Sequence, residues 1–123
     1  MFNFLYCFDS NYNIQASCSI YSLLEQVDEK INIYVMHKDF NNEENFLDDI
    51  LNHRMLNKLT VYKINLDSYD FPNIQGTHVS EATYYRLFLE DYIDRNISFI
   101  TYLDCDVFCI NNPLELIKKN IDN

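Results

Sequence analysis

The chain has 123 residues and a mass of 14.8 kDa, room for one domain or a piece of a larger one and for no second independent core. Hydrophobic residues make up 48% of it and aromatic residues 15%, enough apolar surface to offset the entropy of ordering, which excludes a disordered chain. Nineteen acidic against nine basic residues give a formal charge of -10, so nucleic-acid binding is not expected, and an anionic ligand would call for a divalent cation between it and the protein.

One glycine, Gly76, stands in the whole sequence, which excludes the dinucleotide fingerprint and the P-loop, since both need several glycines at fixed offsets. Cys7, Cys18, Cys105 and Cys109 sit inside apolar segments with no pair of CxxC units. They are predicted to be buried thiols in a reducing compartment. The start, MFNFLYCFDS, lacks a basic segment and a small-residue cleavage site, and no apolar run nears the roughly 18 residues that span a bilayer. A cytoplasmic chain without a transmembrane segment is expected.

Phe2 to Phe8 is a nearly continuous apolar run, the pattern of a strand buried on both faces, and it ends at Asp9-Ser10-Asn11-Tyr12-Asn13. The spacing of Ile14, Cys18, Tyr21, Leu24 and Val27 predicts a helix whose buried face carries these residues, capped by Asn13. Ile31 to His37 reads as a strand, Asn45 to Arg54 as an amphipathic helix and Lys58 to Ile64 as a further strand. Asn65 to Val79, with Pro72 and Gly76, reads as a loop long enough to be functional. Ser80 is placed to cap a helix from Glu81 to Tyr92, Ser98 to Leu103 is a fourth buried strand, and Pro113 can start a last helix over Leu114 to Lys119. Such alternation predicts an α/β fold, a mostly parallel Rossmann-like sheet with helices on both faces and right-handed crossovers.

Ligands of open parallel sheets bind beyond the carboxyl ends of the strands, so the residues there carry the candidate chemistry. If the fourth strand runs on through Asp104-Cys105-Asp106, the two carboxylates share a face about 6 to 7 Å apart at Cα, with Cys105 turned away. Two hard oxygen donors so placed suit Mg2+ or Mn2+, and the alternative is a pair of acids that merely ends a strand. Asp9, Asn11 and Tyr12 could read the edge and face of a nucleobase or ribose, or form an Asx-turn into the helix. Arg86 is a cation just ahead of the acidic strand end, or an exposed partner for Glu90.

CFDSNYNIQASCSIYSLL, HVSEATYYRLFLEDYI and ITYLDCDVFCINNPLELI, in this order and at these separations, resemble the opening half of glycosyltransferase family 8, the lipopolysaccharide galactosyl- and glucosyltransferase group that includes glycogenin. The resemblance covers essentially the whole chain. It implies a GT-A fold, residues 1–123 forming its nucleotide-sugar-binding part as a single truncated domain, and retaining transfer of a hexose from a UDP-sugar, UDP-glucose or UDP-galactose, to a glycan or lipopolysaccharide acceptor with Mn2+ or Mg2+. By position, Asp9, Asn11 and Tyr12 match the segment that contacts uracil and ribose, and Arg86 the arginine at the donor sugar and phosphates. Asp104 and Asp106 match the metal-binding pair, Asp104 also facing the donor.

Family members are typically more than twice as long, and their second half supplies a histidine as third metal ligand, a glycine and a lysine at the diphosphate, and most of the acceptor site. His37, His53 and His78 do not occupy the matching position, so no catalytic residue is assigned in this half. A full-length parent would be active, with peripheral membrane association, while the isolated chain would either keep a working donor half or be an inactive remnant that binds nucleotide weakly or acts as an assembly partner. Self-association through an exposed sheet edge is also expected. A haloacid-dehalogenase-type phosphohydrolase fits less well, because its DxDx(T/V) motif follows the first strand and Phe108 stands here at the fifth position. A phosphate-receiving signalling domain expects paired acids after the first strand, where this chain has one, Asp9.

Overall fold

In a computed structural model of the chain, residues 1–41, 47–64 and 89–122 are described. The element order is β1 (Asn3–Phe8), a 3-10 turn (Ser10–Tyr12), α1 (Asn13–Gln26), β2 (Ile31–His37), α2 (Asp48–Leu51), β3 (Leu56–Lys63), β4 (Thr101–Tyr102) and α3 (Leu114–Asp122). The strands form one sheet in the order β3-β2-β1-β4, and every pairing is parallel.

β1 and β2 lack polar alternation because both faces of the sheet are covered. Phe4, Tyr6 and Phe8, with Ile31, Ile33 and Val35, point to one face and meet Ala16, Ile20, Leu23 and Leu24 of α1, Ile50 of α2 and Leu114 of α3. Leu5, Cys7, Tyr34 and Met36 point to the other, where Ile64 completes the buried set and Leu89, Tyr92, Ile93, Ile97 and Ile100 pack on it. The mean plane of the sheet thus separates two cores, and β1 contributes to them alternately from Phe4 to Phe8, all buried.

The amino-terminal edge is registered by an amide ladder. Asn57 donates to Asn32 at 2.8 Å, Asn32 donates to Asn3 at 2.9 Å, and Asn3 reaches the Phe99 carbonyl at 3.3 Å. Asn57 is also the residue skipped where the β2–β3 register shifts, between the pairs Ile31↔Leu56 and Asn32↔Lys58. Asparagine side chains of three strands, ending on a loop carbonyl, therefore bridge the sheet at a place where the backbone ladder is irregular.

Several local expectations are corrected. α1 buries Ala16, Ser19, Ile20, Leu23 and Leu24, with Val27 buried just past its end, while Ile14, Cys18 and Tyr21 face solvent. The buried stripe lies two residues along from the predicted one, about half a turn around the helix; Leu24 and Val27 alone are common to both. Small Ala16 and Ser19 are what let the helix approach the sheet, and a search for large apolar side chains passes over them. Asn13 is the first helical residue and not the cap; its side-chain oxygen is engaged with His37. Of the cysteines only Cys7 is buried, Cys105 and Cys109 are half-buried and Cys18 is exposed, and all are free thiols. α2 is shorter than expected, ending at Leu51 and not Arg54, with Asn45 outside the described residues; β4 is cut to Thr101–Tyr102 and is half-buried instead of buried; β3 starts earlier than predicted and α3 runs on to Asp122. The loop with Pro72 and Gly76, His78, the Ser80 cap and most of the helix 81–92, Arg86 included, lie outside the described residues; from Leu89 the chain makes a turn in which the Tyr92 and Ile93 amides donate to the Leu89 carbonyl.

The two stripes of α1 are separable by mutation. Leu23→Ala, in the fully buried stripe, is expected to cost about 2–5 kcal/mol. Ile14→Ala, at a site 75% exposed, is expected to change stability by no more than about 0.5 kcal/mol. Equilibrium urea unfolding of both variants checks this, and equal losses would restore the predicted face.

Candidate functional site

The strand order places β2 and β3 on one side of β1 and β4 on the other. The direction of winding reverses between β1 and β4, and the crevice beyond the carboxyl ends of such a strand pair is where open α/β sheets accept ligands. Two segments of the described chain meet that crevice, the loop after β1 and the turn after β4.

The first begins at Asp9, whose backbone is extended. Its carboxylate accepts the Asn11 amide at 3.0 Å and its carbonyl accepts the Tyr12 amide at 3.0 Å. Asp9 is thus the cap of the 3-10 turn that precedes α1, while Asn13, expected to cap α1, is its first residue. Ser10 and Asn11 are exposed, and the Tyr12 side chain packs partly on the core beneath α1. The Ser10 amide donates to the Asp39 carboxylate at 3.1 Å, and Asn13 Oδ1 lies 2.8 Å from His37 Nε2. β2 therefore braces the loop from beside it. Asp39 is held below the usual aspartate range: partial burial raises it, but hydrogen bonds from the Ser10 side chain and amide, the neighbouring His37 and its own backbone outweigh that.

The second segment leaves β4 through one more ladder bond, the Leu103 amide donating to the Leu5 carbonyl at 3.0 Å. The chain then turns, closed by the Val107 amide on the Asp104 carbonyl at 3.2 Å. Asp104-Cys105-Asp106 accordingly occupies a turn and not the continuing strand of the sequence reading, so the strand alternation that put the carboxylates on one face does not apply. The strand stops because Asp104 and Asp106 are exposed, and a further apolar step would bury them without a partner. α1 holds the outgoing chain: Ser19 Oγ donates to the Val107 carbonyl, and the Cys109 amide donates to Ser22 Oγ at 2.9 Å. The Tyr6 hydroxyl of β1 lies 3.4 Å from Ser19 Oγ. Burial pushes the Tyr6 phenol up to about 12, with the Ser19 bond acting the other way and Cys109 and Cys105 adding to the rise, so a neutral hydroxyl anchors this junction.

The Cys105 thiol reports what surrounds it. Burial pushes it up, followed by Asp106 and then Asp104 and Asp9, against a hydrogen bond from its own backbone. Carboxylates from both segments thus act on the same thiol, and together with burial they favour its protonated form. Asp104 and Asp106 offer hard oxygens on an exposed turn, a donor set that fits Mg2+ or Mn2+ with positions left for water and a ligand's oxygens. Among the described residues no three His, Cys, Asp or Glu side chains are grouped closely enough to hold a metal by themselves. Ser19, Ser22, His37 and Asp39 were missed by the sequence reading. The available signals were two serines three apart on the buried side of a helix and a histidine ending an apolar strand.

The Asp39 shift carries a sign. Its folded value lies below the ordinary 3.8, so its contribution is fully present above 3.8 and is lost as the pH falls through the folded value. Acid titration of unfolding is expected to show a steeper loss below pH 3.8 in the native chain than in Asp39→Asn. Parallel curves would mean that the brace on Ser10 contributes nothing to stability.

Residues 3–123 match the profile of glycosyl transferase family 8. A Haemophilus influenzae protein classed as a glycosyltransferase is 30% identical over 98% of this chain and 36% of its own length. The lipopolysaccharide 1,3-galactosyltransferase of Salmonella typhimurium is 28% identical over 97% of this chain and 35% of its own. The chain spans about a third of the length of these curated relatives. Among solved structures, the galactosyltransferase LgtC in complex with donor and acceptor sugar analogues superposes with a TM-score of 0.75 at 24% identity, over 93% of this chain and 41% of LgtC. The bifunctional glycosyltransferase WbbM gives 0.72 at 20% identity, over 95% of this chain and 20% of WbbM. These likenesses show the fold, a GT-A type α/β sheet, and together with the family profile they establish that the chain belongs to glycosyl transferase family 8.

Proposed function

We propose that this chain is the donor-binding part of a metal-dependent hexosyltransferase that moves a sugar with retention from a UDP-sugar, UDP-glucose or UDP-galactose, to a glycan or lipopolysaccharide-type acceptor. The observation that carries the reading is the meeting of the Asp9–Asn13 loop and the Asp104–Asp106 turn in the crevice where the winding reverses between β1 and β4. Residues 1–123 serve in it as one nucleotide-sugar-binding unit, a part of the longer domain its relatives have.

Each residue has a role in this scheme. Asn11, exposed on the 3-10 turn, supplies amide donor and acceptor atoms to the uracil edge or ribose, and the Tyr12 ring, fixed by its packing on the core, offers a face to the base. Asp9 keeps the turn in shape through the Asn11 amide and faces the ribose. Asp104 and Asp106 hold a divalent cation, Asp104 also facing the donor, and Arg86 takes the sugar and phosphate region. A divalent cation held by the two aspartates would supply charge neutralisation to the diphosphate of the donor. The scheme accounts for an anionic donor on a chain of net charge -10, since without a cation the cluster of carboxylates would repel the diphosphate.

Calorimetric titration of UDP with and without Mn2+ tests the reading. Binding is expected only with Mn2+, falling at least about tenfold in Asp104→Ala and in Asp106→Ala, the loss of one charge-assisted contact to the ion. Binding indifferent to Mn2+ and to both substitutions would overturn it.

A second reading, an assembly partner that holds nucleotide without turnover, is favoured by one observation. Val107, Phe108, Ile110 and Leu116, following the acidic turn, are 43%, 59%, 81% and 66% exposed, a run of large apolar side chains of the kind that marks an interaction surface. Sedimentation at rising concentration is expected to show self-association that Phe108→Ser with Ile110→Ser abolishes; a monomer at all concentrations would remove this reading.

A further inference from the structure

We propose that His37 is a positioning residue for the loop Asp9–Asn13, locking from β2 the turn that receives the nucleotide; the inference rests on the donor-binding reading of that loop. His37 is fully buried at the end of β2, opposite Phe8 in the β1–β2 register. The Phe8 ring meets it edge-on at 5.0 Å and the Phe40 ring at 5.9 Å. An imidazole in such a setting is costly unless its nitrogens are paired, and an apolar side chain of similar volume would fill the space at less expense. The polar atoms are what the site retains it for.

Those atoms reach both ends of the loop. Nδ1 accepts the Asp39 amide at 3.2 Å, which assigns the proton to Nε2, and Nε2 donates to Asn13 Oδ1 at 2.8 Å. Asn13 is the first residue of α1, immediately after the 3-10 turn. On the other side, the Asp39 carboxylate lies 3.3 Å from Nδ1 and accepts the Ser10 amide, the first residue of that turn. One ring therefore sets the position of residue 13 directly and of residue 10 through Asp39, and the two residues between, Asn11 and Tyr12, are held at both ends. Asn11 and Tyr12 project from this short span, so fixing its ends fixes their directions before a ligand arrives. Preorganisation of this kind raises affinity by reducing the ordering cost of binding.

Variants of the full chain separate the two nitrogens. His37→Phe keeps an aromatic ring and loses both bonds; His37→Gln places an amide near the Nε2 position and can keep the link to Asn13. The first readout, free of ligand, is amide hydrogen exchange at Asn11 and Tyr12, with Ile33 and Val35 of β2 as internal reference. The second is UDP titration with Mn2+. In His37→Phe, exchange at Asn11 and Tyr12 is expected to quicken about tenfold with the reference amides unchanged, and UDP affinity to fall about tenfold, the weight of one or two buried hydrogen bonds; His37→Gln is expected to recover most of both. Exchange unchanged at the two loop amides would overturn the proposal, as would equal quickening at Ile33 and Val35, which marks a general packing role. Failure of His37→Gln to recover either readout overturns it too. Where His37→Phe does not fold, Asn13→Ala cuts one arm outside the core and is judged by the same two amides. A native chain that binds no UDP would defeat the donor reading alone, and the exchange rates would still decide whether His37 positions the loop.

Discussion

Parallel pairing of β1 with a neighbour on each side is the constraint on which the rest of this structure depends. A strand bonded on both edges and covered on both faces has no solvent side, so Phe4 to Phe8 must all be apolar or, like the Tyr6 hydroxyl, polar with a partner. The chain emerges from it at Phe8 with one free direction, beyond the sheet. Asp9 is the first residue that can be solvated, and it bends the backbone at once into the turn that leads to α1. The same strand, through Leu5, fixes where β4 ends and hence where Asp104 begins. Loop and turn are neighbours because they are the two continuations of one paired unit.

The acidic turn is held by groups that carry no charge. Ser19 and Ser22 on α1 take up the backbone of Val107 and Cys109, and Tyr6 reaches Ser19 from the sheet. Anchoring by hydroxyls leaves the carboxylates of Asp104 and Asp106 uninvolved in the scaffold and exposed at the crevice. A basic anchor in the same place would have neutralised them. Burial first, and then the charges of Asp106, Asp104 and Asp9, push the Cys105 thiol up.

The loop after β1 follows a different economy. Its backbone amides are satisfied by Asp9 and Asp39, and its far end by His37. Asn11 joins that network through its backbone amide, and the residue is exposed. The relatives and structural neighbours that share this fold extend well beyond the matched part.

Among the described residues, the order of strands and helices, the double-sided burial of β1 and β2 and the location of Asp9, Asn11 and the two acids after their strands were legible in the sequence, because each follows from local periodicity. β2 was bounded correctly at Ile31 and His37 since an apolar run ends there in a polar cluster. The face of α1 was misread because helical spacing alone ranks Ile14, Cys18 and Tyr21 with Ala16, Ile20 and Leu23; which stripe is buried depends on how closely the helix can approach the sheet, and that is settled by the small residues at the contact. The acidic pair was found by its residue types, but its geometry was drawn on a strand that the desolvation of Asp104 does not allow. The sequence by itself determined the architecture and the chemistry available at one edge of it. Only the tertiary structure decided that a histidine on β2 and two serines on α1 hold that chemistry in place, because their partners are the backbone and side chains of segments far along the chain, and no local pattern encodes which distant atom a buried polar group will meet.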